Sequence, residues 1–178
     1  MKRRAHLVGL MVILATSFLV HARVESADTR FERITLSGLD GVHMRVKVSR
    51  ALRSVVDTTV VLAHMKQILQ ASKIPIRDAR SYVTKDDVGM LLVTVGGGIG
   101  DEGSTYFRID VQLLQSVRMS RDVSIRGTAA TWDMGAMGLI KYAVRDRILD
   151  QIDSYVRRFA AAYVAPTGSS QRRYKYGR

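Results

Sequence analysis

The sequence predicts an α+β fold: a two-layer sandwich in which two helices cover one face of a four-stranded, mainly antiparallel sheet, in the order β-α-β-β-β-α. Three observations carry this. Alternating apolar residues mark one strand at Val42–Val48, and three more strand-like runs fall between residues 89 and 132. Apolar stripes at helical spacing fall after the first strand and after the last. The last three strand runs are joined by short links, which suits antiparallel neighbours.

Taken in order, residues 23–32 form a polar lead and residues 34–36 a short apolar beat. In the first strand Val42, Met44, Val46 and Val48 share one face, against His43, Arg45 and Lys47 on the other. Asp57 or Thr58 is the natural N-cap of the first helix, whose inner face carries Val61, Met65, Ile68, Leu69 and Ser72. Pro75 ends that pattern, because it has no N–H to donate and disfavours helix at the residue before it.

Residues 89–95 read as the second strand, and the glycine-rich run 96–103 as a flexible loop. Residues 106–119 make the third strand, with Phe107, Ile109, Val111 and Leu113 on one side and Tyr106, Arg108, Asp110 and Gln112 on the other. Asp122 marks a turn. Residues 123–132 are the fourth strand, with Val123, Ile125, Gly127 and Ala129 on one side, and Gly135 and Gly138 are expected to break the chain. The final helix, 141–164, has a stripe of Val144, Ile148, Ile152, Tyr155, Phe159 and Tyr163, widened by Val156. Asp153 and Arg157 stand in the favourable i,i+4 order, and Pro166 and Gly168 stop the helix.

The amino terminus reads as an export signal. Met1-Lys2-Arg3-Arg4 is basic, residues 7–20 are uncharged and apolar, and Val20-His21-Ala22 supplies the small-residue order a signal peptidase reads. That run falls short of the roughly 20 apolar residues of a spanning helix, so cleavage is favoured over a retained anchor. The expected organisation is a cleaved signal at 1–22, the polar lead at 23–32, one domain at 33–166 and a basic, disordered tail at 167–178. The expected location is the periplasm or the medium. Cleavage after Ala22 leaves 25 bases against 16 acids, a net charge of +9, four of which are Arg172, Arg173, Lys175 and Arg178 in the tail.

The chain has no cysteine. That excludes a lipid anchor on an amino-terminal cysteine, thiol catalysis and cysteine-ligated zinc, and it leaves stability to packing alone. The glycine run lacks the following helix and the Lys-Ser or Lys-Thr of a phosphate loop, so it reads as a hairpin. His43 and His64 read as surface residues with no ligand partner at metal spacing. No Gly-x-Ser-x-Gly elbow is present. These patterns imply no cofactor and no catalytic residue.

Trp132, with Met134 and Met137 beside it, suits either a core cap or a partner contact. Arg45, Lys47 and Arg108 form a candidate basic face for a small ligand or polyanion. Arg172, Arg173, Lys175 and Arg178, interleaved with Tyr174 and Tyr176, form a candidate contact for an anionic lipid or polyanion. An exported chain meets the envelope before nucleic acid, so a nucleic-acid partner is disfavoured.

Leu36-Ser37-Gly38-Leu39, the strand 42–48, the middle strand pair and Ala129-Ala130-Thr131-Trp132 before an amphipathic helix resemble a broad group of uncharacterised exported bacterial proteins, over roughly residues 33–164. The element order is also similar to the amino-terminal α/β domain of the TolB envelope protein, a protein-contact module, in topology only. The expected function is a non-catalytic module that binds another envelope or secreted protein through a strand edge or the Trp132 region, since such a sheet has free edges. The alternatives are the anionic-ligand binder and a hydrolase whose acids assemble only in the fold.

Overall fold

The computed structural model describes residues 29–165. It is an α+β sandwich around one four-stranded sheet, with strand order β1-β2-β3-β4. The strands are β1 (Val42–Val48), β2 (Gly89–Ile99), β3 (Thr105–Met119) and β4 (Asp122–Ile140). The helices are α1 (Arg30–Thr35), α2 (Thr58–Ala71), α3 (Ala79–Thr84) and α4 (Val144–Val164). β1 and β2 are parallel, and β2–β3 and β3–β4 are antiparallel. The fold class and the six long elements follow the sequence pattern.

The strands alternate as their residue types require. On the inner face, Leu91, Val93 and Val95 of β2 lie beside Ile109, Val111 and Leu113 of β3, then Trp132 and Met134 of β4. The apolar rows of α2 (Val61, Met65, Ile68, Leu69) and α4 (Ile148, Ile152, Tyr155, Val156, Phe159) close over them. The outer face carries mostly polar groups, with Met90 and Leu92 tucked between them at 8% and 7% exposure.

Helix starts are set locally. The Asp57 carboxylate accepts from Thr59 N–H at 2.7 Å and opens α2. At α1 the Thr29 backbone N–H donates to the Glu32 carboxylate at 2.7 Å, while the Thr29 hydroxyl oxygen accepts from Glu32 N–H at 3.3 Å. This reciprocal box places a helix where the sequence suggested a polar lead and an apolar beat. α3 has no counterpart in the sequence pattern. It is one short stretch with no buried residue, held by the Asp78 cap on Ser81 N–H at 2.7 Å and by Tyr82 stacking on His43 of β1.

Three boundaries correct the sequence reading. The glycines 96–98 belong to β2, paired with Arg108, Phe107 and Tyr106, and the turn is a short 3-10 segment at Asp101–Gly103. Gly135 and Gly138 do not break the chain but lie within β4, opposite Asp110 and Phe107. A Cβ on Gly135 would meet the Asp110 carboxylate at 2.9 Å, and one on Gly138 the Phe107 ring at 3.0 Å, so close side chains explain glycine there. The last helix begins at Val144 instead of residue 141, after Ala143 at φ 52°.

β4 also contains an irregularity. Leu113 pairs with Trp132 but Leu114 pairs with Ala130, so Thr131 is an extra residue. The bulge shifts the alternation: Ile125, Gly127 and Ala129 share the inner face with Trp132 and Met134, although their positions differ in parity. Beyond Leu114, β3 and β4 continue past β2 as a two-stranded arm. Towards its tip, at the last regular pair before the turn, the Asp86 carboxylate accepts from Arg118 at 3.3 Å and Arg126 at 3.0 Å.

Candidate protein-interaction edge

The residues singled out by sequence fall in three different environments. Trp132 is 0% exposed and Met134 1%, both on the inner face. The Trp132 ring meets Phe159 of α4 edge-on, with centroids 5.2 Å apart. This corrects the partner-contact assignment for both residues: their side chains belong to the core. Met137 is different. It is 52% exposed on the outer face, directly opposite Arg108.

The three bases Arg45, Lys47 and Arg108 are exposed but do not form one cluster. Arg45 and Lys47 lie on β1 beside Leu92 and Thr94. Arg108 lies two strands away and grips Asp110, with Nε to Oδ2 at 2.8 Å and Nη2 to Oδ1 at 3.0 Å. That hydrogen-bonded pairing raises the Arg108 pKa. Its charge is matched within its own strand. Arg172, Arg173, Lys175 and Arg178 lie outside the described residues, as does the export signal.

The histidines are less isolated than the sequence suggested. His43 Nδ1 lies 3.3 Å from Arg77 O, and His64 Nδ1 lies 3.1 Å from the Asp153 carboxylate, joining α2 to α4. Asp153 thus turns to the neighbouring helix, not along its own toward Arg157. Among the described residues no group of three acids or histidines is placed to hold a metal ion. Asp78 and Asp122 have lowered pKa values from local causes. For Asp78 the largest is the Ser81 backbone N–H, and for Asp122 it is the Ser124 hydroxyl, followed by its N–H.

The sequence pointed to a strand edge without saying which, and the structure offers the free side of β4. The sheet ends there, and no further strand pairs with β4 among the described residues. α1 meets this side at the bulge, where the Thr35 hydroxyl donates to Thr131 O at 3.1 Å. From Met134 to Ile140 the edge carries no charged residue and no proline. On the outer face, Met137 (52% exposed) and Leu139 (57%) stand along it, and Tyr106 (55%) lies opposite Leu139. The Tyr106 ring leans across Gly98, where a Cβ would meet the phenol oxygen at 2.5 Å. The signal was present in the alternation Asp133, Gly135, Met137, Leu139, Lys141, which runs on past the glycines that seemed to end the strand.

Fold and edge together define a small α+β module whose sheet is closed by helices on one face and ends in β1 on one side and β4 on the other. No protein-family model matches the chain, and no curated protein matches it. Among solved structures it is similar to a single-residue variant of the PelC dodecamer from Paraburkholderia phytofirmans at 13% identity, over 71% of this chain and 90% of that one, with a TM-score of 0.41. It is also similar to a minor lipoprotein from Acinetobacter baumannii at 11% identity, over 66% of this chain and 87% of that one, with a TM-score of 0.28. Among the described residues no helix is long and apolar enough to cross a membrane.

Proposed function

We propose that the protein is an exported, envelope-associated, non-catalytic module that binds another protein through the β4 edge. One observation carries this reading: the uncharged edge stretch from Met134 to Ile140, with Met137 and Leu139 about half exposed beside it. Soluble proteins blunt such edges with lysine, proline or covering elements, because unpaired N–H and C=O groups template another strand. An edge left apolar suits strand addition, in which backbone hydrogen bonds give affinity and alternate side chains give specificity. The basic start and apolar run of the leader support export.

The anionic-ligand alternative draws less support, since Arg108 is matched by Asp110 and lies apart from Arg45 and Lys47. The test is paired affinity isolation from the native envelope with the tagged chain and its Leu139→Lys variant. A partner recovered with the parent and lost with the variant supports the reading. Recovery of the same proteins by both overturns it.

A further inference from the structure

The outer-face row of the β4 edge is complementary to itself. It reads Asp133, Gly135, Met137, Leu139 and, one residue past the strand, Lys141. Reversed about Met137, it sets Asp133 against Lys141, Gly135 against Leu139 and Met137 against Met137. Each charge meets its opposite, each leucine meets a glycine, and the axis falls on a flexible apolar residue. An antiparallel pair with its two-fold axis perpendicular to the sheet keeps the outer faces on one side, so these groups do face one another. The inner row matches as well, with Ala136 against Gly138 and Met134 against Ile140.

We infer that β4 pairs with β4 of a second copy of this chain, antiparallel and centred on Met137, joining two four-stranded sheets into one of eight strands. The inference rests on the reading of β4 as the contact edge and names the strand that occupies it. The contact is isologous: whatever residue i meets across the axis, its counterpart meets the same. It hides the apolar groups that the lone chain exposes beside that edge, Met137 and Leu139. Tyr106, opposite Leu139 on β3, is the next apolar side chain on the same face. The Asp133–Lys141 pairs lie at the two ends of the contact, where charge sets register and partner choice more than affinity.

The arm stays out of the contact. Thr128 and Arg126 lie on the far side of the Thr131 bulge, where α1 meets the strand. The bulge and α1 end the usable edge on one side, and the turn into α4 ends it on the other. The stretch between them is the stretch that is self-complementary. A strand pair of this length with its flanking side chains buries on the order of 1,000 Å² in total, the lower bound for a biological interface. Interfaces at that lower bound belong to the weak, transient class, for which a dissociation constant on the order of micromolar is expected.

The absence of cysteine makes the test clean. In Met137→Cys the only thiols of two copies lie across the axis, at the roughly 5 Å Cβ separation of directly opposed residues. The protein purified after export is expected to form a covalent dimer on mild oxidation or with a short bismaleimide. Thr128→Cys, far from the axis, is expected to remain uncrosslinked. Sedimentation of the parent should show a monomer–dimer equilibrium, which Met137→Lys abolishes without loss of the folded circular-dichroism spectrum.

Asp133→Lys or Lys141→Asp alone should weaken the dimer about three- to tenfold, and the two together should restore it to within about twofold. A parent that stays monomeric up to roughly 100 micromolar, well above that constant, overturns the inference. So does crosslinking of Thr128→Cys as fast as Met137→Cys. A monomeric parent whose Leu139→Lys variant still loses a different envelope partner overturns self-pairing alone and leaves the module reading intact.

Discussion

Phe159→Ala is the sharpest probe of whether Trp132 belongs to the core. Phe159 is 0% exposed, 5.2 Å from the Trp132 ring centroid and 6.0 Å from that of Tyr163. A phenylalanine buries roughly 150–250 Å², which at about 25 cal/mol per Å² gives about 5 kcal/mol, near the upper end of the ~3–5 kcal/mol measured for Phe→Ala in cores. We expect a loss of about 4 kcal/mol. With a urea m-value of about 2 kcal/mol per molar, the unfolding midpoint falls by about 2 M.

The assay is urea unfolding followed in parallel by circular dichroism and by the emission of the single tryptophan. In the parent, acrylamide should quench Trp132 only within the unfolding transition. A double-mutant cycle with Trp132→Leu should return about 0.5–1.5 kcal/mol of coupling for the edge-on ring pair. A midpoint shift below about 0.5 M, or ready quenching of native Trp132, would refute the assignment of this ring to the core.

Three further outcomes follow from the geometry. Gly97→Ala should cost about 3 kcal/mol by thermal or urea unfolding, because Gly97 sits at φ 137° with its missing Cβ aimed at Tyr106 O, whereas Gly96→Ala, with nothing within 4 Å, should stay within about 0.5 kcal/mol. Tyr163 has a raised pKa, chiefly from burial and then from the nearby Asp40 charge, and it donates to Leu39 O at 2.8 Å. Its contribution is therefore complete below the unfolded tyrosine value of about 10 and is lost as pH rises through the folded value, so Tyr163→Phe should flatten that alkaline loss in a pH series of unfolding midpoints. Asp78 and Asp122 are shifted the other way, so their contribution is complete above the unfolded aspartate value of about 3.9 and disappears as pH falls through the lowered values. Acid titration of Asp78→Asn with Asp122→Asn should show a shallower acid limb than the parent.

What the sequence made legible was what side-chain alternation records. Val42–Val48 is found with its boundaries because every second residue is apolar, and the α2 and α4 stripes because their inner rows are continuous. Glycine carries no such record. Residues 96–98, 135 and 138 look like loop punctuation until their cross-strand neighbours are known; at 97, 98, 135 and 138 what selects glycine is the approach of Tyr106, Asp110 and Phe107. α3 leaves no stripe because it buries no residue, and its Asp78 cap is a signal only in hindsight. The candidate edge was half legible. Met137 was singled out for its neighbourhood to Trp132, yet the two are an odd number of residues apart in a strand that runs on through Gly135, so they lie on opposite faces.

The sheet has one parallel pair, and it joins the segments most distant in sequence. β2, β3 and β4 are linked by tight hairpins, so their ladders close cheaply, while β1 waits for its partner until α2 and α3 have been traversed. On topological grounds the three-stranded meander is the natural nucleus and β1 docks late, an order that low φ-values in β1 and high ones in the β3–β4 hairpin would establish. A molecule caught before that step carries two bare borders, β2 on one side and β4 on the other. Pairing of β2 in one such molecule with β4 of the next is heterologous and does not close, so slower docking of β1 is expected to favour open-ended association over discrete particles.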